Sequence, residues 1–199
     1  MRPTSSARFV LTLFIAVCSA ALLTACTSSP KIFVNENPNA KFSEYRTYNY
    51  LDTLGTDQRT GYSSILSKYL MNAMDREMTA RGYKKTEDPE LLVNFFVNTQ
   101  EKIRTTSSPS MGGYYGYRGG YYGGYAGYDT TVTQYTEGTL SIDIVDSARD
   151  ELLWEGRAEG KITDKVRENL ELAANGAINE IMQKYTYTAS GYVPPEPAE

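Results

Sequence analysis

Four carboxylates are the side chains of this sequence best suited to chemistry. They cluster around one predicted strand end and turn, at Asp143, Asp146, Asp150 and Glu151. Two of them could act as the acid and base of sugar hydrolysis, or the group could bind calcium. Alternatively, Asp143 points outward from a strand and the others form the turn and carry solvated charge. We favour this structural interpretation, because acid/base catalysis needs a raised pKa in a dry cleft and the sequence indicates none.

The remaining composition excludes most other catalytic classes. The 199 residues contain no histidine and two cysteines. Without histidine, Ser-His-Asp and Cys-His catalysis and most zinc sites are excluded. The glycine-rich stretch also lacks the Gly-Lys-Ser/Thr ending and the following helix of a phosphate-binding loop. We therefore predict neither an enzyme nor a cofactor or metal site, with a carboxylate-dependent envelope hydrolase as the distant alternative.

The N-terminus has the features of an export signal. Two arginines precede an apolar run of 15 residues from Phe9 to Leu23, which is shorter than the ~20 residues that span a membrane. The tetrapeptide Leu23-Thr24-Ala25-Cys26 resembles the bacterial lipoprotein box. The resemblance implies cleavage between Ala25 and Cys26, with a thioether-linked diacylglycerol and an N-terminal acyl chain on Cys26. The alternative is an ordinary signal sequence that leaves Cys26 as an incidental thiol.

The same box predicts where the mature chain resides. Residues 1–25 are the predicted lipoprotein signal peptide and residues 26–31 a lipidated tether. Several acyl chains anchor a protein stably, whereas a single one holds it only marginally. In Gram-negative lipoproteins an aspartate directly after the cysteine tends to retain the protein in the inner membrane. Thr27 at that position therefore favours the outer membrane.

The mature composition describes one mildly acidic domain. Removal of residues 1–25 leaves 174 residues, with 18 basic and 24 acidic side chains and a net charge of −6. This length suits a single domain. The absence of basic clusters argues against nucleic-acid binding, because such clusters are needed to neutralise phosphates.

Hydrophobic periodicity predicts the element order β, β, α, β, β, β, α. A helix is expected over 62–81 with Gly82 as its stop, and Asp164 is expected to cap the last helix. In the last strand, Leu152, Trp154 and Ala158 should face the core, so Trp154 is predicted to pack rather than to stack on a ligand.

The predicted fold class is α+β. It is a two-layer sandwich of a mainly antiparallel sheet of about five strands, with two amphipathic helices on one face. The single domain spans 32–187, and the proline-rich residues 188–199 are predicted to form a disordered tail.

A glycine- and tyrosine-rich segment interrupts this domain between two predicted strands. It forms a predicted hairpin insertion at 105–130, and such long connections are either functional or disordered. Three interpretations stay open: a disordered loop, a recognition surface for peptidoglycan, glycan or another envelope protein, and a self-associating device. The candidate recognition residues are Tyr114, Tyr115, Tyr117, Arg118, Tyr121, Tyr122, Tyr125 and Tyr128.

The stretches YRTYNYL, RGYKKTEDPELLVNF and GTLSIDIVDSARDELLWEGRAEG resemble a bacterial lipoprotein family called domain of unknown function 4136. The likeness is strongest at Gly138, Thr139, Leu140, Asp143, Asp146, Trp154 and Gly156. Tyr50 and Glu155 depart from the family pattern, in which tryptophan and a basic residue are common. The resemblance implies the fold and the compartment, and it implies no activity.

Together these features predict a non-catalytic lipoprotein of the outer membrane that faces the periplasm and acts in binding or support. Its expected partners are the membrane, through the acyl chains on Cys26, and peptidoglycan, glycan or another envelope protein. A surface matrix or adhesion lipoprotein that self-associates through the Gly/Tyr segment is the alternative.

Overall fold

The computed structural model of the protein describes residues 29–110 and 127–193. Six strands and three helices follow one another within these ranges, and a short 3-10 turn lies at Phe42–Glu44. Their bounds are β1 (Lys31–Glu36), β2 (Thr47–Tyr50), α1 (Ile65–Ala80), β3 (Lys84–Lys85), β4 (Leu91–Ser110), β5 (Gly127–Asp146), β6 (Glu151–Lys161), α2 (Asp164–Glu168) and α3 (Leu170–Met182). None of the helices in these two ranges has the length and apolar character needed to cross a bilayer.

All six strands belong to one mixed sheet with the order β1-β6-β5-β4-β2-β3. The first four strands in this order pair antiparallel, whereas β2 runs parallel to β4 and to β3. The predicted α+β class is confirmed. The sheet is larger than the predicted five strands, because the two-residue β3 is too short to show a periodic pattern. The two-layer arrangement with both helices on one face stays a prediction.

The first long helix agrees with its hydrophobic pattern. The side-chain oxygen of Ser64 accepts from the backbone N–H of Ser67 at 3.1 Å and caps the start of α1. Leu70, Met74 and Met78 are buried along one stripe. Gly82 follows the helix with φ of 84°, a left-handed conformation in which glycine has no steric cost.

The predicted last helix is divided in two. Asn169, with φ of −125° and ψ of 62°, lies between α2 and α3 and interrupts the helical hydrogen bonding. The expected cap at Asp164 was also wrong, since Asp164 is already the first residue of α2. Thr163 is the cap, and its side chain accepts from the N–H of Val166. The described chain therefore has three helices rather than two.

One hydrophobic core joins the sheet to the helices. Its strand residues alternate along β4 and β5, and Trp154 and Ala158 join them from β6. Ile178 and Ile181 of α3 belong to the same core. A Cβ placed on Gly156 would meet the Trp154 ring at 2.3 Å and Ile181 at 2.4 Å, so only glycine fits where α3 crosses β6. The alternating core residues are Leu91, Val93 and Phe95 of β4 and Leu140, Ile142 and Ile144 of β5.

A β-bulge changes the predicted facing of residues in β6. The pairing shifts between Ile144, opposite Trp154, and Val145, opposite Leu152, so Leu153 is the extra residue. Leu153 is buried and Leu152 is exposed. The expectation that Leu152 faces the core was therefore wrong, because simple alternation does not allow for an inserted residue.

The C-terminal segment is ordered further than its composition suggests. The N–H of Ala189 donates to Arg81 O at 2.9 Å, and that of Ser190 donates to Tyr45 O at 2.8 Å. Tyr192 lies against Gly82 and donates from its hydroxyl to Ala80 O. The predicted tail at 188–199 thus begins too early, and residues 194–199 lie outside the described ranges.

Candidate functional site

The structure describes one of the ten residues that the sequence marked as sites. Tyr128 lies in β5 near the end of the described strand, and its side chain is exposed. The others lie outside the described residues: Ala25, Cys26, Tyr114, Tyr115, Tyr117, Arg118, Tyr121, Tyr122 and Tyr125.

The strands that carry Tyr128 form a ribbon beyond the rest of the sheet. β6 ends at Lys161, opposite Glu137 of β5. Past that row, the strand ladder of the described residues continues only between β4 and β5, as ten pairs from Glu101–Thr136 to Ser110–Gly127. At the usual rise per residue the ribbon extends about 30 Å. Residues 111–126 connect its two strand ends.

The ribbon corrects the bounds of the predicted insertion. Residues 105–110 and 127–130 were assigned to the insertion, and the structure pairs them in the ladder. Three threonines and one tyrosine in these stretches favour extended backbone. The connection between the strands is therefore 111–126, shorter than 105–130.

The two faces of the ribbon differ in chemistry. Ile103, Val132 and Tyr128 share one face and are exposed. The same face carries Gln134, whose side-chain amide donates to Glu101 at 2.5 Å. The other face carries Lys102, which forms an ion pair with Glu137, and the neighbouring Arg104. The exposed apolar side chains of the ribbon thus lie on one face, among polar ones, and most side chains on both faces are exposed to solvent.

The predicted carboxylate group is separated by the sheet. Asp146 is buried, and it accepts the Tyr45 hydroxyl at 2.7 Å and the N–H groups of Ala148 and Arg149 at 2.9 Å. These hydrogen bonds hold the pKa of Asp146 below its usual value although burial opposes them. Burial, followed by the hydrogen bond to Asp146, raises the pKa of Tyr45 to about 12. Asp146 therefore closes the β5–β6 turn, as the structural interpretation expects.

Two further carboxylates of the group, Asp150 and Glu151, are exposed. Asp150 has a positive φ of 51° in the turn, and Glu151 accepts from the Asn37 side-chain amide at 2.6 Å. The group of four is thus divided between a turn and the sheet. Nowhere in the described ranges do three His, Cys, Asp or Glu side chains form a group suited to a metal ion.

Asp143 lies in a different environment, on the face of the sheet that points away from the Trp154 ring. It is directly across from Glu155 on β6 and from Asn94 on β4. Burial, followed by repulsion from Glu155, raises the pKa of Asp143 to about 6. Glu155 in turn accepts from the Asn35 amide at 2.8 Å, and Arg157 Nε lies 3.5 Å from its Oε1. The pair is therefore a partly desolvated carboxylate site on one face of the sheet.

The sequence did not pair Asp143 with Glu155. Without a bulge, counting residue pairs back from the turn would pair Asp143 with Trp154. The bulge at Leu153 shifts the register by one residue, so that Asp143 pairs with Glu155. A usable signal was present, because Glu155 is the residue that departs from the family pattern at a position where a basic side chain is common.

Ionisation of Asp143 should destabilise the fold, since its folded pKa lies above that of a free carboxyl. The penalty is absent below about pH 4 and grows as the pH rises through about 6. We expect Asp143→Asn to raise the free energy of unfolding at pH 7.5 by about 1 kcal/mol, after allowance for partial exposure. Urea unfolding at pH 4 and 7.5 measures this gain, which should vanish at the lower pH. Asp88→Asn, at an exposed turn carboxylate, is the control, and an equal gain there would contradict the assignment.

Trp154 has the packing role that its alternation predicts. It is fully buried, and its ring lies edge-on to Tyr185 at a centroid distance of 5.2 Å. No described residue accepts a hydrogen bond from its indole Nε1. Burial of the whole ring leaves no face open to a ligand.

The described residues define an α+β domain that presents a long two-stranded ribbon. The chain belongs to the family described as domain of unknown function DUF4136, whose model matches residues 32–186. No curated protein matches the sequence.

Two solved structures are similar to this chain. A PDZ domain protein from Parabacteroides distasonis is 15% identical with a TM-score of 0.50, and the match covers 87% of this chain and 40% of that chain. The chain thus spans less than half of that protein. A PelC dodecamer from Paraburkholderia phytofirmans is 8% identical with a TM-score of 0.42, over 79% of this chain and 98% of that one. At these identities the likeness concerns the fold alone.

Proposed function

We propose that this protein is a non-catalytic binding lipoprotein of the bacterial envelope. Acyl chains on Cys26 anchor it in the outer membrane, and its domain faces the periplasm. The lipoprotein box at Leu23-Thr24-Ala25-Cys26 and the polar Thr27 support this location.

The ribbon is the observation that carries the binding role. Ten residue pairs extend the hairpin past the sheet, where its side chains add nothing to the core. An isolated two-stranded ribbon is only marginally stable in water, so its length calls for a role outside folding. It holds the ends of the Gly/Tyr connection about 30 Å from the sheet. Tyrosine offers a large amphipathic ring at low entropic cost, which suits recognition of a glycan or of another protein.

A chain with a minimal ribbon tip tests this proposal. Residues 111–126 are replaced by Asn-Gly, which closes Ser110 and Gly127 with a two-residue hairpin turn. We expect an unchanged melting temperature, because every side chain of the core that the described residues form is kept in the variant. Cosedimentation with purified peptidoglycan should weaken by at least about tenfold, equivalent to one aromatic hot spot of about 1.4 kcal/mol.

The matched control keeps the length of the connection and changes its six tyrosines to serine. An equal loss of cosedimentation in both variants assigns the binding to the rings. Unchanged cosedimentation in both contradicts recognition by this segment. Loss of oligomers without loss of cosedimentation favours the alternative of a self-associating lipoprotein, which the free edges of the ribbon also support.

The raised pKa of Asp143 favours one distant alternative, a carboxylate-dependent envelope hydrolase. A general acid with a pKa of about 6 suits hydrolysis near neutral pH. However, Asp143 and Glu155 are neighbours on adjacent strands of one sheet, and both side chains are partly exposed. Turnover of cell-wall glycans by the purified protein, abolished in Asp143→Asn, would support the hydrolase against the binding role.

A further inference from the structure

The start of the described chain and the base of the ribbon lie at the same end of the sheet. Lys31, the first residue of β1, is opposite Glu159 of β6. Glu159 is opposite Thr139 of β5, and Thr139 is opposite Asn98 of β4. β1 runs from this row back into the sheet, whereas β4 continues past it as the ribbon. The tether from Cys26 therefore joins the domain where the ribbon leaves it.

The lengths of the tether and the ribbon restrict how the domain meets a membrane. From Cys26 to Lys31 the chain spans at most about 18 Å. From Asn98 to Ser110 the strand extends about 40 Å past the row of Lys31. If the ribbon pointed toward the bilayer along its normal, the ribbon would pass the anchor point and enter the lipid.

The opposite orientation is equally restricted. If the ribbon pointed away from the bilayer, the sheet from Thr139 to Asp146 would lie between Lys31 and the membrane. That part of the sheet is about 24 Å long, which is more than the tether can bridge. An anchored chain therefore holds its ribbon inclined to the bilayer normal, and the short tether keeps the base of the ribbon near the bilayer surface.

Exposed apolar side chains are concentrated at this end of the molecule. Both long helices begin here, because α1 follows a loop whose Thr56 N–H donates to Phe95 O, and α3 follows the end of β6 through the short helix α2. Of the described large apolar side chains that are more than half exposed, six lie at this end and the seventh is Val193. The six are each 63–72% exposed: Tyr62, Ile65, Ile103, Tyr128, Val132 and Leu172.

Five of these side chains, all except Tyr62, lie on the same side of the sheet. Ile103, Val132 and Tyr128 continue the ribbon face that farther back carries Phe95 and Ile142. That side also carries Gly156, which lies against Ile181 of α3. Ile65 of α1 and Leu172 of α3 line one shallow depression on it. The ribbon face and the helix starts thus lie on one side of the sheet, where their exposed apolar side chains alternate with Glu101, Glu168 and Glu171.

We propose that this end of the domain, formed by the ribbon face and the two helix starts, is a second membrane contact that rests on the lipid bilayer. The inference depends on the anchoring at Cys26 that the proposed function contains. Because the tether is short, the lipid bilayer is the surface that lies next to these side chains. Tyrosine favours the level of the lipid headgroups, and exposed isoleucine, valine and leucine gain by burial at the acyl boundary.

Fluorescent labels at single cysteines test the contact in the lipidated protein. Cys18 is removed with the signal peptide and the Cys26 sulfur is acylated, so an introduced cysteine is the free thiol of the mature chain. We attach the environment-sensitive probe NBD to Ile103→Cys and Val132→Cys. The matched control is Val193→Cys, which is exposed beside the Gly82 end of the domain. Each protein is reconstituted in vesicles of phosphatidylethanolamine and phosphatidylglycerol.

The expected result is a severalfold rise in emission with a blue shift at positions 103 and 132, and quenching there by lipids that carry a nitroxide on the acyl chain. Position 193 should show neither change. Equal, water-like emission at all three positions in protein that floats with the vesicles would overturn the membrane contact while leaving the anchor intact. Shielding of position 103 without quenching by the nitroxide lipids would assign this end to a second copy of the chain and would also overturn it. If the protein neither incorporates palmitate nor floats with the vesicles, the result would instead contradict the proposed function.

Discussion

Trp154→Ala is expected to lower the free energy of unfolding by about 3–5 kcal/mol, the usual range for truncation of a large buried aromatic side chain. The ring is fully buried and lies between Tyr185 and the α3 crossing at Gly156. Because Gly156 has no side chain to move into the space, the cavity stays open. Equilibrium urea unfolding followed by circular dichroism measures the loss as a lower midpoint at constant slope.

Two neighbouring variants separate packing from other causes. Trp154→Phe should cost less than alanine, because no described residue accepts a hydrogen bond from the indole and only packing is lost. Leu152→Ala changes an exposed side chain two residues away and should stay within about 0.5 kcal/mol of the native chain. A Trp154→Ala protein with native stability would contradict the packing role and revive a ligand-binding one.

Periodicity predicted the elements whose burial is regular. The stripe of Leu70, Met74 and Met78 and the alternation of Val93 and Phe95 both agree with the structure. Each is set by one local rule, the helical or the extended repeat of the backbone. These parts of the fold can be inferred because burial follows the repeat for several turns or pairs.

The misplaced features depend on interactions between distant residues. The bulge at Leu153 is set by pairing with β5, and β3 exists only because Lys84 and Lys85 reach the edge of β2. Order in the C-terminal segment comes from hydrogen bonds of Ala189 to Arg81 and of Ser190 to Tyr45. No local pattern encodes such partners, so the sequence alone could not predict these features.

The site was predictable to a similar extent. Alternation placed Asp143 outward, and turn chemistry assigned Asp146 to the hairpin. The raised pKa of Asp143 depends on which residue is opposite, and that residue is decided by the bulge. The ribbon was hidden for a different reason, because threonine and serine stretches suit exposed strands and loops alike.

Cys26→Ser is expected to move the mature chain from the membrane fraction to the soluble periplasmic fraction and to abolish its palmitate label. The physical reason is the loss of several acyl chains, each of which contributes about 0.8 kcal/mol per buried CH₂ group. The serine variant is exported with an ordinary cleavable signal peptide, so that the apolar run at 9–23 cannot hold the chain in the membrane. Radiolabelled palmitate and density-gradient fractionation measure the two effects.

Thr27→Asp is the matched control, since it keeps the cysteine and should keep the label while moving the protein toward the inner-membrane fraction. A serine variant that fractionates like the native chain would contradict the anchor, because the exposed ribbon residues alone cannot replace several acyl chains. Weak residual binding of the serine variant to vesicles is compatible with the membrane contact at Ile103 and Val132. This residual binding should disappear when Ile103→Asp is added to the serine variant, because a charge at the acyl boundary opposes burial of the ribbon face.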